Sequence, residues 1–235
     1  MPVEKLAQAL QSVDWSSNVA EFLTHAPLCE RMVQCNTRLA IWSKQLEIVD
    51  KGNAALPFIR EMQSSGHHVA VLASLALYKP AAAATRTVFE TALYYTYFRT
   101  HPCELTTLVR DENFFVQKSE LIDYHRKHTR DFAAHQGCFN LVGSMNKWYN
   151  RVSSIVHGQI PGIWSTHRSV SEIAPDGKSM EEVVETFREG EEIVHHLLLC
   201  TVGVEMWDAF SSAAKKELLA GIPGSKRAAL GLDSA

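Results

Sequence analysis

Apolar residues recur at intervals of three and four along most of the chain, the period of a helix packed on one side. Alternation of strand type, bounded by turn residues, is rare, and only 12 of the 235 residues are glycine. The pattern predicts an all-α protein. A short helix is expected over about Val3–Val13, broken at Trp15-Ser16-Ser17, with a second short helix capped by Ser17. Pro27 suits the first turn of a long helix over about Leu28–Lys51, which Gly52 ends. Met32, Leu39, Trp42, Leu46 and Val49 mark its apolar stripe. A further helix covers about Ala54–Ser64 and stops at Ser65-Gly66.

The most apolar part follows, His67–Thr100, which Pro80 divides into two helices with the proline near the start of the second. Polar helices are predicted near Pro102–Asp111 and Asn113–Ala134, and another over Asn140–Val156, stopped by Gly158 and Pro161. Gln159–Lys178 carries Pro161, Gly162, Pro175, Asp176 and Gly177 and reads as a long loop. Its position just after His157 makes it a candidate cover for that residue. Ser179-Met180-Glu181-Glu182 looks like a capping box opening a long helix over about Met180–Lys216. The organisation expected is an N-terminal helical extension (residues 1–65) packed on a helical bundle (66–220), with a flexible Gly/Ala/Ser-rich tail (221–235).

Composition narrows the partners. Hydrophobic residues are 46% and charged residues 21%, ordinary for a packed core and unlike disordered or rod-like chains. A formal net charge of −3 argues against coating nucleic acid by bulk charge, while leaving room for a local basic site. The five cysteines, Cys29, Cys35, Cys103, Cys138 and Cys200, are odd in number, far apart and free of any CxxC. That disfavours a disulfide framework and a structural zinc site. The first residues hold no apolar run of signal-peptide type, and Val69–Ala84 is interrupted by Ser74, Lys79 and Pro80. The expectation is a cytoplasmic chain without a membrane partner.

Three places carry candidate chemistry. In the helix through Trp148–Gly158, Met145, Trp148, Tyr149, Val152, Ile155 and Val156 fall on one arc. Asn146, Asn150, Ser153, Ser154 and His157 fall on the other, with Lys147 and Arg151 toward one edge. A merely solvated face is usually filled with flexible Glu and Lys. Short Asn, Ser and His suit a close polar surface, either a site or a helix interface. Ala81–Arg99 is apolar nearly all round, yet holds Arg86 and Glu90 four residues apart. Buried charges are rarely tolerated unpaired, so the two are expected to bind each other. A functional version has Glu90 holding Arg86, which points into the polar site. Lastly, Lys118–Arg130 carries Lys118, Arg126, Lys127 and Arg130 but is interrupted by Glu120 and Asp123, and reads as a solvated face or a contact to an anionic ligand.

The combination of R-x3-E in a buried helix (Arg86, Glu90) with YNRVSSIVHG (Tyr149–Gly158) resembles the HEPN superfamily, over about Val69–Phe210. The resemblance implies a helical bundle, commonly a homodimer, of abortive-infection or defence type. It further implies a metal-independent ribonuclease motif, here Arg151, five residues, then His157. Arg151 and His157 would then be the catalytic pair, acting on RNA without a cofactor, with Arg86, Glu90, Asn150 and Ser153 binding or orienting the substrate. On an ideal helix the pair lies roughly 120° apart, so both reach one point only if the helix end unwinds or a partner helix completes the site. A toxin of this kind would have an antitoxin or another defence-system protein as partner. Two alternatives stand beside it. One is a HEPN-like binding or assembly module without catalysis. The other is an unrelated bundle holding a metal through Glu192 and His195 and the pair His125 and His128, although no HExxH or second ExxH is present.

Overall fold

The computed structural model describes residues 3–164 and 167–232. It is helical, with no strand among the described residues. The helices are α1 (Val3–Gln11), α2 (Trp15–Thr24), α3 (Ala26–Val49), α4 (Leu56–Ser74), α5 (Tyr78–Phe98), α6 (Pro102–Arg110), α7 (Lys118–His128), α8 (Phe132–Phe139), α9 (Leu141–Val156) and α10 (Gly177–Leu198). After a π-turn at Leu199–Gly203 come the short α11 (Val204–Met206), α12 (Ser212–Leu218) and α13 (Gly224–Leu230). No helix among the described residues is long and apolar enough to cross a membrane.

The bundle forms around α5. It packs against α4 on one side and α10 on another, while α3 lies against α4 and α10. α9 sits in the angle between α5 and α10. Leu39, Trp42, Leu46, Ile59, Met62, Val69, Phe89, Phe187 and Val194 are fully buried where these helices meet. Pro80 lies in the first turn of α5, where a missing N–H leaves no helical bond unmade.

Several boundaries differ from expectation, each for a tertiary reason. Ser65-Gly66 does not stop a helix; α4 runs through it to Ser74. Gly66 is there because a Cβ would lie 2.8 Å from Leu39 Cδ1 and from Asn36 Oδ1, so glycine lets α3 and α4 close on each other. The division expected at residue 65 falls inside α4, and α3 packs against α4 and α10. The stretch Asn113–Ala134 is two helices, broken where Asp131 takes φ 54°. The long C-terminal helix opens at Gly177, with the Asp176 carboxylate accepting from the Ser179 N–H at 2.7 Å, and it ends far short of Lys216. The expected flexible tail is helical over Gly224–Leu230, and Leu230 and Leu232 bury their side chains. The remainder of that tail, 233–235, lies outside the described residues.

Several buried polar groups are paired inside this core. Glu191 is fully buried and receives Arg38 through both Nε, at 2.7 Å, and Nη2. His195, also fully buried, accepts from Trp42 Nε1 at 3.0 Å. His125 is bonded on both ring nitrogens, to Thr96 Oγ1 at 2.9 Å and Thr129 Oγ1 at 2.7 Å.

Candidate functional site

α9 faces two neighbours, so its polar residues divide between them. Asn146, Tyr149, Ser153 and His157 recur at three- and four-residue steps and turn toward α5 and α7. Arg151 turns the other way. His157 caps the end of α9, where Gly158 takes φ 68° and reverses the chain, leaving the imidazole exposed beside α5.

Arg86 of α5 is the hub. Its Nη1 donates to His157 Nε2 at 2.9 Å and its Nε donates to Glu90 Oε1 at 2.8 Å. A guanidinium has no acceptor, so His157 Nε2 carries a lone pair in this contact and the ring proton sits on Nδ1. The Tyr149 hydroxyl donates to the same Glu90 oxygen at 2.7 Å. The Arg86 guanidinium lies 5.1 Å from the Tyr149 ring centroid. Lys118 Nζ lies 4.3 Å from that centroid and donates to Asn146 Oδ1 at 2.9 Å. Lys79 Nζ lies over Gly158, 3.4 Å from where a Cβ would stand. Ser153 Oγ, on the same stripe of α9, is buried with no hydrogen-bond partner among the described residues.

Burial and charge oppose each other here. Partial burial disfavours the Arg86 charge, but the bond to Glu90 and its charge outweigh this and hold the guanidinium protonated above its ordinary range. Burial, then the Glu90 bond and charge, push the Tyr149 phenol up, so it stays a donor. Burial alone lowers the Lys118 ammonium. Arg86 is thus the cation paired with Glu90, and the exposed imidazole lies against it.

The structure brings Arg86, Glu90, Ser153 and His157 to one place and leaves Arg151 out of it. Arg151 Nη1 is 3.6 Å from Glu189 Oε2 and lines a 340 Å³ cavity between α9 and α10 with Trp148, Glu189 and His196. Asn150 is exposed; its carbonyl accepts from Ser154 Oγ at 2.8 Å. Tyr149 escaped the pattern because it belongs to the apolar arc, although a half-buried phenol always needs a partner for its hydroxyl. Lys118 and Lys79 come from other helices, and spacing within α9 says nothing of them. Loop 159–178 is tied down by Trp164 Nε1 on Glu182 Oε2 at 2.9 Å and by the Asp176 N–H on the Tyr78 hydroxyl at 2.9 Å, and it leaves His157 exposed.

Three of the four candidate metal ligands hold other bonds. His125 and His195 hold the bonds given above, and Glu192 accepts from Arg188 Nη1 at 3.0 Å. No group of three or more His, Cys, Asp or Glu side chains is arranged to hold a metal ion among the described residues. No family model matches the chain, and no curated protein or solved structure matches it either.

Proposed function

We propose that this chain is a metal-independent endoribonuclease of the HEPN-like toxin or defence type, acting through Arg86, Glu90 and His157. The observation that supports it most is Arg86 bonded at once to Glu90 and to the His157 Nε2 lone pair. RNA transesterification needs a base for the 2′-OH and fixed positive charge for the phosphorane-like transition state. His157 Nε2 takes the 2′-OH proton once the phosphate draws Arg86 Nη1 away from it. The 2′ oxygen bonds to phosphorus, the bond from phosphorus to the 5′ oxygen breaks, and the leaving oxygen takes a proton from solvent at this open site. The products are a 2′,3′-cyclic phosphate and a 5′-hydroxyl. Arg86 suits the phosphate because its planar fork gives two parallel donors. Glu90 holds the fork in place and Tyr149 holds Glu90. Homodimerisation and an antitoxin partner follow from the resemblance alone.

The test is cleavage of a mixed RNA pool in excess chelator. His157→Ala is expected to lower the rate by about 10²–10⁴ and Arg86→Ala by about 10²–10³, while Arg151→Ala stays within tenfold. Cleavage by His157→Ala at the wild-type rate overturns the reading. A second reading, a binding or assembly module without catalysis, is favoured by Arg151 facing Glu189 on α10 instead of His157. No cleavage by folded wild-type protein selects it.

A further inference from the structure

Lys118 is an unusual place to keep a cation. It is the first residue of α7, where the helix dipole disfavours positive charge. It is partly withdrawn from water, which lowers its affinity for the proton. Its neighbours are the Asn146 amide oxygen and the face of Tyr149. Among the described residues no carboxylate stands within ion-pair distance of it, whereas Arg86 has Glu90 and Arg126 has Asp123 at 2.9 Å. An ammonium held in this way lacks a counter-ion that the chain itself does not supply. Next to it, between α7 and α9, opens a 170 Å³ cavity. Ile122, Val142 and Met145 form its apolar walls, and Lys118, Asn146, Ser119 and the Arg126–Asp123 pair its polar rim. Lys118 and Arg86 approach the same Tyr149 ring, so a single side chain links the ammonium at this cavity to the Arg86–His157 contact.

We infer that Lys118, steered by Asn146, binds the phosphate adjoining the cleaved one, and that the cavity beside it takes the neighbouring base of a single-stranded RNA. The inference rests on the ribonuclease reading for the position of the cleaved phosphate, but not for the binding itself. Apolar walls with a polar rim fit a base, which has two flat faces and a hydrogen-bonding edge. Lys118 is a positioning residue here: it fixes the register of the strand and takes no part in proton transfer.

The test is binding of a short 2′-O-methyl oligonucleotide, which cannot be cleaved, measured over a series of salt concentrations. Lys118→Gln is expected to weaken binding and to reduce the salt slope by about 0.7, the loss of one phosphate contact on a single strand. Lys118→Arg is expected to restore the slope. One abasic nucleoside in the strand weakens binding to wild type at a single register. Unmodified RNA is cleaved by Lys118→Gln with a raised KM and little change in kcat. An unchanged salt slope in Lys118→Gln, or no binding by wild type, overturns the inference while leaving the cleavage assay to judge the ribonuclease reading. Lys118-dependent binding without any cleavage sustains the subsite and removes the ribonuclease.

Discussion

Gly190 on α10 is the point on which the position of α9 turns. A Cβ there would stand 2.3 Å from Trp148 Cζ2 and 2.8 Å from Trp148 Cε2. Carbon atoms in contact prefer about 3.5–4.0 Å, so Gly190→Ala requires the indole or the helix to move by more than 1 Å. The indole is poorly placed to yield. It is 4% exposed, its edge meets Phe89 with centroids 5.7 Å apart, and its Nε1 donates to the Thr186 carbonyl at 2.9 Å, one turn before Gly190. Overpacking costs about 1–3 kcal/mol, and loss of the indole bond adds about 0.5–1.5 kcal/mol. Alanine's better helix propensity offsets roughly 1 kcal/mol. The net expectation is a destabilisation of about 0.5–3.5 kcal/mol, or roughly 1–14 °C in Tm for a chain of this size. Thermal unfolding followed by circular dichroism measures it. The sign is decisive, because without the clash alanine would raise Tm. A double-mutant cycle isolates the contact: in a Trp148→Phe background, Gly190→Ala is expected to become neutral or stabilising. A raised Tm in the single variant, or additivity within about 0.5 kcal/mol in the cycle, refutes the reasoning. Tyr149 follows Trp148 directly, so Gly190→Ala is also expected to disturb the bond from Tyr149 to Glu90.

Two further outcomes follow from the paired groups of the core. Arg38→Met strands the fully buried Glu191 and is expected to cost about 3–5 kcal/mol, whereas Arg38→Met with Glu191→Leu recovers most of it; chemical denaturation distinguishes the two, and equal losses would contradict the pairing. Burial lowers both His125 and His196 from 6.5 to about 4. Between those values the unfolded chain binds protons that the folded chain refuses, so stability declines as pH falls from about 6.5 toward 4, at up to about 1.4 kcal/mol per pH unit for each group. His125→Gln is expected to flatten that acid limb; an unchanged slope in pH-dependent denaturation would show that His125 does not contribute to it.

The helical period made α5 and its Arg86–Glu90 pair legible, because an apolar stretch wrapped round two opposite charges has few other solutions. It also marked the polar stripe of α9 by residue type, through Asn, Ser and His where Lys and Glu would be ordinary. Gly66 misled for a specific reason: a glycine that ends a helix and a glycine that admits a neighbouring helix are the same letter. The C-terminal segment misled because small residues read as loose chain until Leu230 and Leu232 find a core to enter.

The sequence by itself therefore determined that this is an all-α chain, that one helix is buried around a charge pair, and that a polar helix ends in His157. Which arginine meets that histidine was decided only by tertiary structure. Arg151 and His157 share a helix, but α9 lies between two partners, so Arg151 turns to Glu189 of α10 and His157 to Arg86 of α5. Lys118 reaches the Tyr149 ring from α7. Periodicity reports how residues are disposed around one helix axis. Which faces of different helices come together depends on long-range packing, in which glycines, indoles and buried ion pairs set the distances.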